Sequence, residues 1–287
     1  AEVYAKAEMI VKVKEPEPSE YKLLRENQIL FTYLHLAPNP TLAEVLMRRG
    51  VKAVAYETIT DKEGNLPCLR PMSQVAGRLS IQEGAKYLER SFGGRGLLLG
   101  GVPGVERGKI AIIGGGVAGT YAAKAAVGID AQVTLLDINL NRLSYLEDVF
   151  GASVTTMYST EANIRKCLAE ADLVIGSVLI PGASTPKLVR REHLKLMKPG
   201  AVIVDIAIDQ GGCCESSHTT IHDDPVYIEE GVVHYCVGNM PGAVPRTSTV
   251  ALGNTTIGHA LNIAKYGLEE ACRRDAGLAN GLNIYCG

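Results

Sequence analysis

Lys109-Ile-Ala-Ile-Ile-Gly114-Gly115-Gly116-Val117-Ala118-Gly119 decides the reading of this sequence. The apolar run Ile110–Ile113 fits a buried strand, and the small residues after Gly116 open a helical stretch. Gly114 permits a tight turn, Gly116 lets backbone approach a pyrophosphate, and Gly119 allows close packing of helix on strand. Asp137 ends the next apolar run, roughly 20 residues on, where a carboxylate accepts from both ribose hydroxyls and repels a 2′-phosphate. The spacing therefore predicts a dinucleotide site that takes NAD in preference to NADP, its phosphates at the positive end of the helix. Arg142, close by, carries the charge that would soften that preference.

Outward from this segment the rhythm is strand, helix, strand. Val133–Leu136, Asp172–Gly176 and Ala201–Ile206 are continuous apolar runs. Helical stretches flank them around Gly119–Val127, Ala162–Ala169 and Arg191–Met197. Strands apolar on both faces and separated by helices indicate an α/β fold, a Rossmann-type doubly wound parallel sheet covered on both sides. A last strand is expected at Val232–Val237, and Thr247 and Ser248 are placed to cap a helix that runs to about Cys272. Before this region, Met9–Val13, Ile29–Leu34 and Lys52–Tyr56 read as strands, Asn39–Arg49 as a helix ended by Gly50, and Met72–Leu88 as a longer helix.

The division that follows is a smaller, partial α/β substrate domain over 1–70, the nucleotide-binding domain over 71–243, and a helical segment over 244–287 returning to the first domain. Ligands of open parallel sheets sit beyond the strand carboxyl ends, so the site is expected there. A second glycine-rich stretch, Gly93–Gly104, lacks the Gly-Lys-Ser/Thr of a phosphate loop and reads as a tightly packed connector.

Net charge is −2, which gives no basic footprint for nucleic acid or an anionic membrane. No apolar run reaches the roughly 18 residues of a membrane span. Seven cysteines, an odd number with no Cys-x-x-Cys pair, indicate a reduced cytoplasmic protein. Ala1–Glu8 leads at once into a buried-strand pattern without an initiator Met, so the numbering is expected to begin inside a domain.

Three ionisable residues fall at strand ends: Lys14, His35 and Asp209. His35 has an imidazole suited to moving a proton during hydride transfer. Asp209 can orient water or hold positive charge on a substrate nitrogen, and Lys14 can grip a carboxylate or polarise a carbonyl. Singly, each has a plain alternative: a satisfied structural histidine, a turn-forming aspartate, a solvated lysine. Cys213, Cys214, His218 and His222 place soft ligands in one short segment, but without a standard zinc spacing, and no metal is expected.

Longer motifs are more specific. Val11-Lys-Val-Lys-Glu-Pro16, Ile29–Ala37, Ala55-Tyr-Glu-Thr58, Pro71-Met-Ser73, Gly100–Val105, Leu136-Asp-Ile-Asn139, Asp205–Gly212 and Asn239–Pro245 resemble alanine dehydrogenase, in collinear order along essentially the whole chain. The resemblance implies interconversion of L-alanine with pyruvate and ammonia using NAD. It assigns the substrate to Lys14 and acid/base work to His35 and Asp209. It assigns the cofactor to Ser73, Val117, Arg142, Ser159, Val178, Leu179, Ile206, Ala207, Ile208, Asp209, Val237, Gly238, Asn239 and Met240, beside Gly114, Gly116, Gly119 and Asp137. It also implies a homo-oligomer, a hexamer. The family begins with a further segment that supplies an arginine for the substrate carboxylate, to which nothing here corresponds; His218 and Val250 stand where Arg and Tyr are usual. The absent arginine segment motivates one competing reading, a catalytically impaired NAD-binding scaffold; another is the nucleotide-binding subunit of a proton-translocating transhydrogenase, a relative with a similar sheet. The complete Lys14, His35 and Asp209 set speaks against the latter.

Overall fold

The structure, a computed structural model, describes residues 1–178 and 185–287. In chain order its main elements are α1 (Glu2–Lys6), β1 (Met9–Val11), β2 (Ile29–Thr32), α2 (Pro40–Arg48), β3 (Lys52–Ala55), α3 (Arg70–Tyr87), β4 (Lys109–Ile113), α4 (Val117–Gly128) and β5 (Gln132–Asp137). There follow α5 (Leu140–Phe150), β6 (Val154–Tyr158), α6 (Glu161–Glu170), β7 (Leu173–Gly176), β8 (Val202–Asp205), β9 (Val226–Glu229), β10 (Val232–Tyr235), α7 (Pro245–Tyr266), α8 (Leu268–Arg274), α9 (Ala276–Asn280) and β11 (Leu282–Tyr285). The chain forms two compact units, one of residues 1–72 with 246–287 and the other of residues 73–245.

In the first unit the strands run β1-β2-β3-β11. The first three are parallel, with Ile10 beside Leu30 and Leu30 beside Ala53. β11 is antiparallel to β3 across an irregular register. One core, around Leu30, Leu42, Leu46 and Ala53, is covered by α2; another, around Phe31, Val54 and Tyr56, takes in Leu252, Ile263 and Leu278. Asn39 caps α2 by accepting from Leu42 N–H at 3.1 Å. Gly50 ends that helix at φ +62°, where its N–H donates to Met47 C=O and the next N–H to Leu46 C=O.

In the second unit the strand order is β6-β5-β4-β7-β8-β10-β9. β4 to β8 and β10 are parallel, and the central strands are buried along their length. This is the α/β Rossmann-type sheet expected, its order reversing at β4. Helices cover both faces, and Gly77 of α3 sits so near α4 that a Cβ there would stand 2.2 Å from Ala118 O. The glycine-rich connector is tightly packed as read: a Cβ at Gly94 would meet Tyr87 O at 2.2 Å.

Several expectations need correction. β1 stops at Val11, and β8 stops at Asp205, after which Ile206–Gln210 is a 3₁₀ turn. Asp209 therefore sits on that turn, not directly on a strand end. Arg191–Leu196 is also 3₁₀. Thr247 and Ser248 lie inside α7, because Pro245 already takes its first position; Pro at N1 lacks only an N–H that would be unpaired anyway. Gly267 at φ +75° breaks the helix at Tyr266, before Cys272. The sheet of the second unit also has one antiparallel edge, β9, which hairpins onto β10. Among the described residues no helix is long and apolar enough to cross a membrane.

Candidate functional site

The expected site residues fall into two groups, one in each unit. In the second unit the β4–α4 turn is built as the sequence implied. Gly114 takes φ +103°, open to glycine and strained for other residues. A Cβ on Gly119 would stand 1.9 Å from Gly114 O, whereas one on Gly116 would meet nothing within 4 Å among the described residues. Gly119 is therefore required by packing, and Gly116 faces open space among the described residues. Gly116 is the N-cap of α4 with no side-chain cap bond, so the N–H groups of the first turn, beginning at Val117, have no side-chain acceptor from it. This is a cradle that suits a phosphate.

Asp137 closes β5. Its carboxylate accepts from Gly115 N–H at 2.6 Å and from Asn139 N–H at 2.8 Å, so it is held against the glycine turn. Arg142, in the first turn of α5, donates from Nε to Gly115 O at 2.6 Å and from Nη2 to Thr120 Oγ1 at 2.6 Å. Its guanidinium also lies 4.9 Å from the Tyr145 ring centre. Arg142 thus braces the turn with hydrogen bonds already committed to protein.

The remaining cofactor candidates surround the carboxyl ends of the same strands. Ser73 stands one helical turn before Gly77 on α3. Ser159 follows β6 and donates its N–H to Asp137 O at 3.0 Å. Val178 follows β7; Leu179 lies outside the described residues. Ile206, Ala207, Ile208 and Asp209 form the turn after β8, and Val237, Gly238, Asn239 and Met240 follow β10. Asn239 adopts φ +54° and donates its N–H to both Asp209 carboxylate oxygens, at 3.1 and 3.3 Å. The turns after β8 and β10 are thereby joined through Asp209.

Two residues here were not singled out as site residues from sequence. Ser177 donates its hydroxyl to Ile113 O at 3.0 Å or Gly114 O at 2.8 Å, buttressing the glycine turn. Asp205, buried, accepts from Ala207, Cys213 and Cys214 N–H and from Ser217 Oγ, which folds the loop that carries Asp209. Burial raises the Asp205 carboxyl above its ordinary value, against those donors. Cys213 and Cys214 pack beside Asp205, with the Cys213 thiol pushed up by its bond to Cys214 and by burial. His218 instead stacks on Tyr227 at 3.7 Å, and His222 is exposed.

In the first unit three parallel strands deliver their carboxyl ends together. The β1–β2 ladder continues past both strands: Lys12 N–H donates to Phe31 O and Tyr33 N–H to Val13 O. Thr32 Oγ1, buried, donates to Lys14 O at 2.9 Å, which fixes the Lys14–Glu15 segment beside β2. His35 follows β2 at φ +46°. Glu57, in the turn after β3, accepts from Leu34 N–H at 3.0 Å and His35 N–H at 2.7 Å. His35 Nδ1 donates to Glu15 Oε2 at 3.0 Å, and Tyr33 lies alongside the imidazole, ring centres 5.8 Å apart. Burial alone would raise the Glu15 carboxyl; the His35 bond and the Lys14 charge outweigh it, and the group sits below its usual value. Glu15 and Glu57 appeared in the sequence only as parts of longer motifs. The left-handed turn at His35, which makes Glu57 necessary, has no signature in composition.

A parallel sheet with a glycine turn, a held acid at the next strand end and an imidazole–carboxylate pair in a companion α/β unit are features of an oxidoreductase built on a Rossmann-type sheet. The comparisons narrow this. Residues 1–76 match the model for the alanine dehydrogenase/PNT N-terminal domain and residues 80–287 that for the C-terminal domain. The chain belongs to the alanine dehydrogenase/PNT family. It is 55% identical over 287 residues to an alanine dehydrogenase of Methanococcus maripaludis, covering all of this chain and 77% of that protein. It is 56% identical over 278 residues to an alanine dehydrogenase of Bacillus subtilis, covering 96% of this chain and 73% of that one. A solved L-alanine dehydrogenase superposes with TM-score 0.92 at 56% identity, covering 98% of this chain and 78% of that chain. A transhydrogenase from Sinorhizobium meliloti shares the fold, with TM-score 0.83 over 99% of this chain and 81% of that one, at 22% identity.

Proposed function

We propose that this chain oxidatively deaminates L-alanine to pyruvate and ammonia with NAD, reversibly, a reading supported by its high identity to proteins named alanine dehydrogenase. The observation that carries the cofactor half is the open space at Gly116 above an uncapped helix start, beside a carboxylate held at Asp137. NAD, when bound, supplies the hydride acceptor. Gly114, Gly116 and Val117 would hold its pyrophosphate and Asp137 its ribose hydroxyls. Ser73, Ser159, Val178 and the turns after β8 and β10 would line the rest.

The chain's own part is binding and proton management. Lys14 pairs with the substrate carboxylate or carbonyl. His35 takes the proton lost from the substrate side during dehydrogenation, and Asp209 orients water and stabilises positive charge on nitrogen. Asp209 is prepared for this by the Asn239 N–H, which holds the carboxylate at the sheet's carboxyl edge. The protein acts in the cytoplasm as a homo-oligomer, a hexamer by family resemblance. The far lower identity to the transhydrogenase, 22% against 55%, favours this over the transhydrogenase reading.

Purified chain given L-alanine and NAD is expected to produce NADH absorbance that is lost in His35→Ala and Asp209→Asn. Intact NADH binding with no turnover in the unsubstituted chain would refute the activity and leave a nucleotide-binding scaffold.

A further inference from the structure

The carboxyl ends of β1, β2 and β3 place one carboxylate on the ring of His35 and another on its backbone. Glu57 receives the N–H groups of Leu34 and His35, which are turned together by the left-handed φ of +46° at His35. A left-handed backbone at a residue that carries a β-carbon persists only where its surroundings hold it. The Glu57 carboxylate is such a hold. Glu15 receives the ring Nδ1–H at 3.0 Å, with its own backbone fixed one residue earlier by the Thr32 hydroxyl on Lys14 O.

We propose that Glu15 is a positioning residue that fixes His35 as the Nδ1–H tautomer, so that Nε2 is the atom that exchanges a proton with the substrate, while Glu57 fixes the backbone from which the ring projects. This deepens the acid/base assignment of His35 and rests on it. A carboxylate on one imidazole nitrogen selects the proton's position and leaves the other nitrogen with its lone pair. In water the neutral imidazole favours Nε2–H, which would leave the wrong nitrogen basic. An oriented carboxylate also stabilises the imidazolium formed after proton uptake. The pair is partly shielded, His35 being 21% and Glu15 31% exposed in their side chains, so the interaction is not lost to bulk water. Tyr33, stacked beside the imidazole and anchored through its hydroxyl to Cys68 O at 2.7 Å, limits rotation of the ring.

The test is ¹⁵N NMR of histidine-labelled protein, with the His35 signal assigned by its disappearance in His35→Gln. The full chain is expected to show Nδ1 protonated and Nε2 bare for neutral His35. Glu15→Ala is expected to move the proton toward Nε2, whereas Glu15→Gln, which keeps a carbonyl acceptor, retains Nδ1–H. In turnover assays Glu15→Ala is expected to lower kcat at least about tenfold with KM for NAD unchanged. A bare Nδ1 in the unsubstituted protein, or the same tautomer in Glu15→Ala, overturns the proposal. Full turnover in His35→Gln overturns the acid/base reading itself, and the tautomer measurement stands apart from that result.

Discussion

Gly116 and Gly119 belong to one motif, yet their substitution by alanine should fail in opposite ways. A methyl at Gly119 would lie 1.9 Å from Gly114 O and 2.9 Å from Ser177 Oγ, where ordinary contact is 3.4–4 Å. Relief requires α4 to move away from the β4 turn by about 1.5 Å, the shortfall between those distances. Overpacking typically costs about 1–3 kcal/mol, a 1.9 Å approach to backbone puts this case at the upper end, and the helix propensity gained over glycine returns at most about 1. A net loss of about 2 kcal/mol lowers Tm by roughly 4–8 °C for a domain of this size.

Gly116, at φ −62° and ψ −163°, is in extended backbone that alanine adopts, with no described residue within 4 Å of the added methyl. Gly116→Ala should therefore melt close to the parent, because the roughly 0.4–1 kcal/mol gained by restricting the unfolded chain is offset by a similar loss from alanine as a poorer N-cap. Its methyl, however, fills the approach to the first turn of α4. NADH should bind at least about tenfold more weakly, a loss of about 1.4 kcal/mol. Thermal melts followed by circular dichroism without nucleotide, and NADH fluorescence titrations, separate the two effects. Unchanged NADH affinity in Gly116→Ala would refute the cradle. An unchanged Tm in Gly119→Ala would refute the packing argument.

Asp137→Ala should relax the preference for NAD over NADP; an unaltered ratio of kcat/KM values would mean that this carboxylate does not read the ribose. Tyr33→Phe removes the hydroxyl donated at 2.7 Å to Cys68 O in a residue only 4% exposed, and should destabilise by about 1–3 kcal/mol in denaturant titration. Glu269 is held down to about 2 by its bond from Lys52, so that pair stabilises the fold above the usual carboxylate range and ceases to do so as pH falls toward 2. Because Glu269 is 46% exposed, its share is under about 1 kcal/mol. Tm should fall more steeply from pH 5 to pH 2.5 in the parent than in Glu269→Gln, and parallel curves would contradict this.

The glycine turn and the acid after β5 were legible from residues alone because their signals are local. An apolar strand, three glycines at fixed spacing and an acid closing the next strand each act within a few residues of themselves. β7 and the body of β8 were legible for the same reason, since strands buried on both faces read as near-continuous apolar runs, and β10 was legible from its paired valines although it also buries His234. β6 carries Thr155 and Thr156 at a sheet edge, and β11 is a short strand defined by pairing with β3; neither produces an uninterrupted apolar run. The end of α7 turned on Gly267, whose left-handed backbone outweighs the helical pattern beyond it.

Residue types and their spacing were enough to locate the glycine turn, to pair it with Asp137, and to nominate Lys14, His35 and Asp209. What holds these groups in place emerges only once the chain is folded. Arg142 is spent on bracing the glycine turn, Asp209 is held by a backbone N–H thirty residues later in the chain, and His35 is held between Glu15 and Glu57. The reason is geometric. A hydrogen bond needs two groups within about 3 Å, and parallel strands bring together ends that lie tens of residues apart, a proximity that no spacing in the chain encodes.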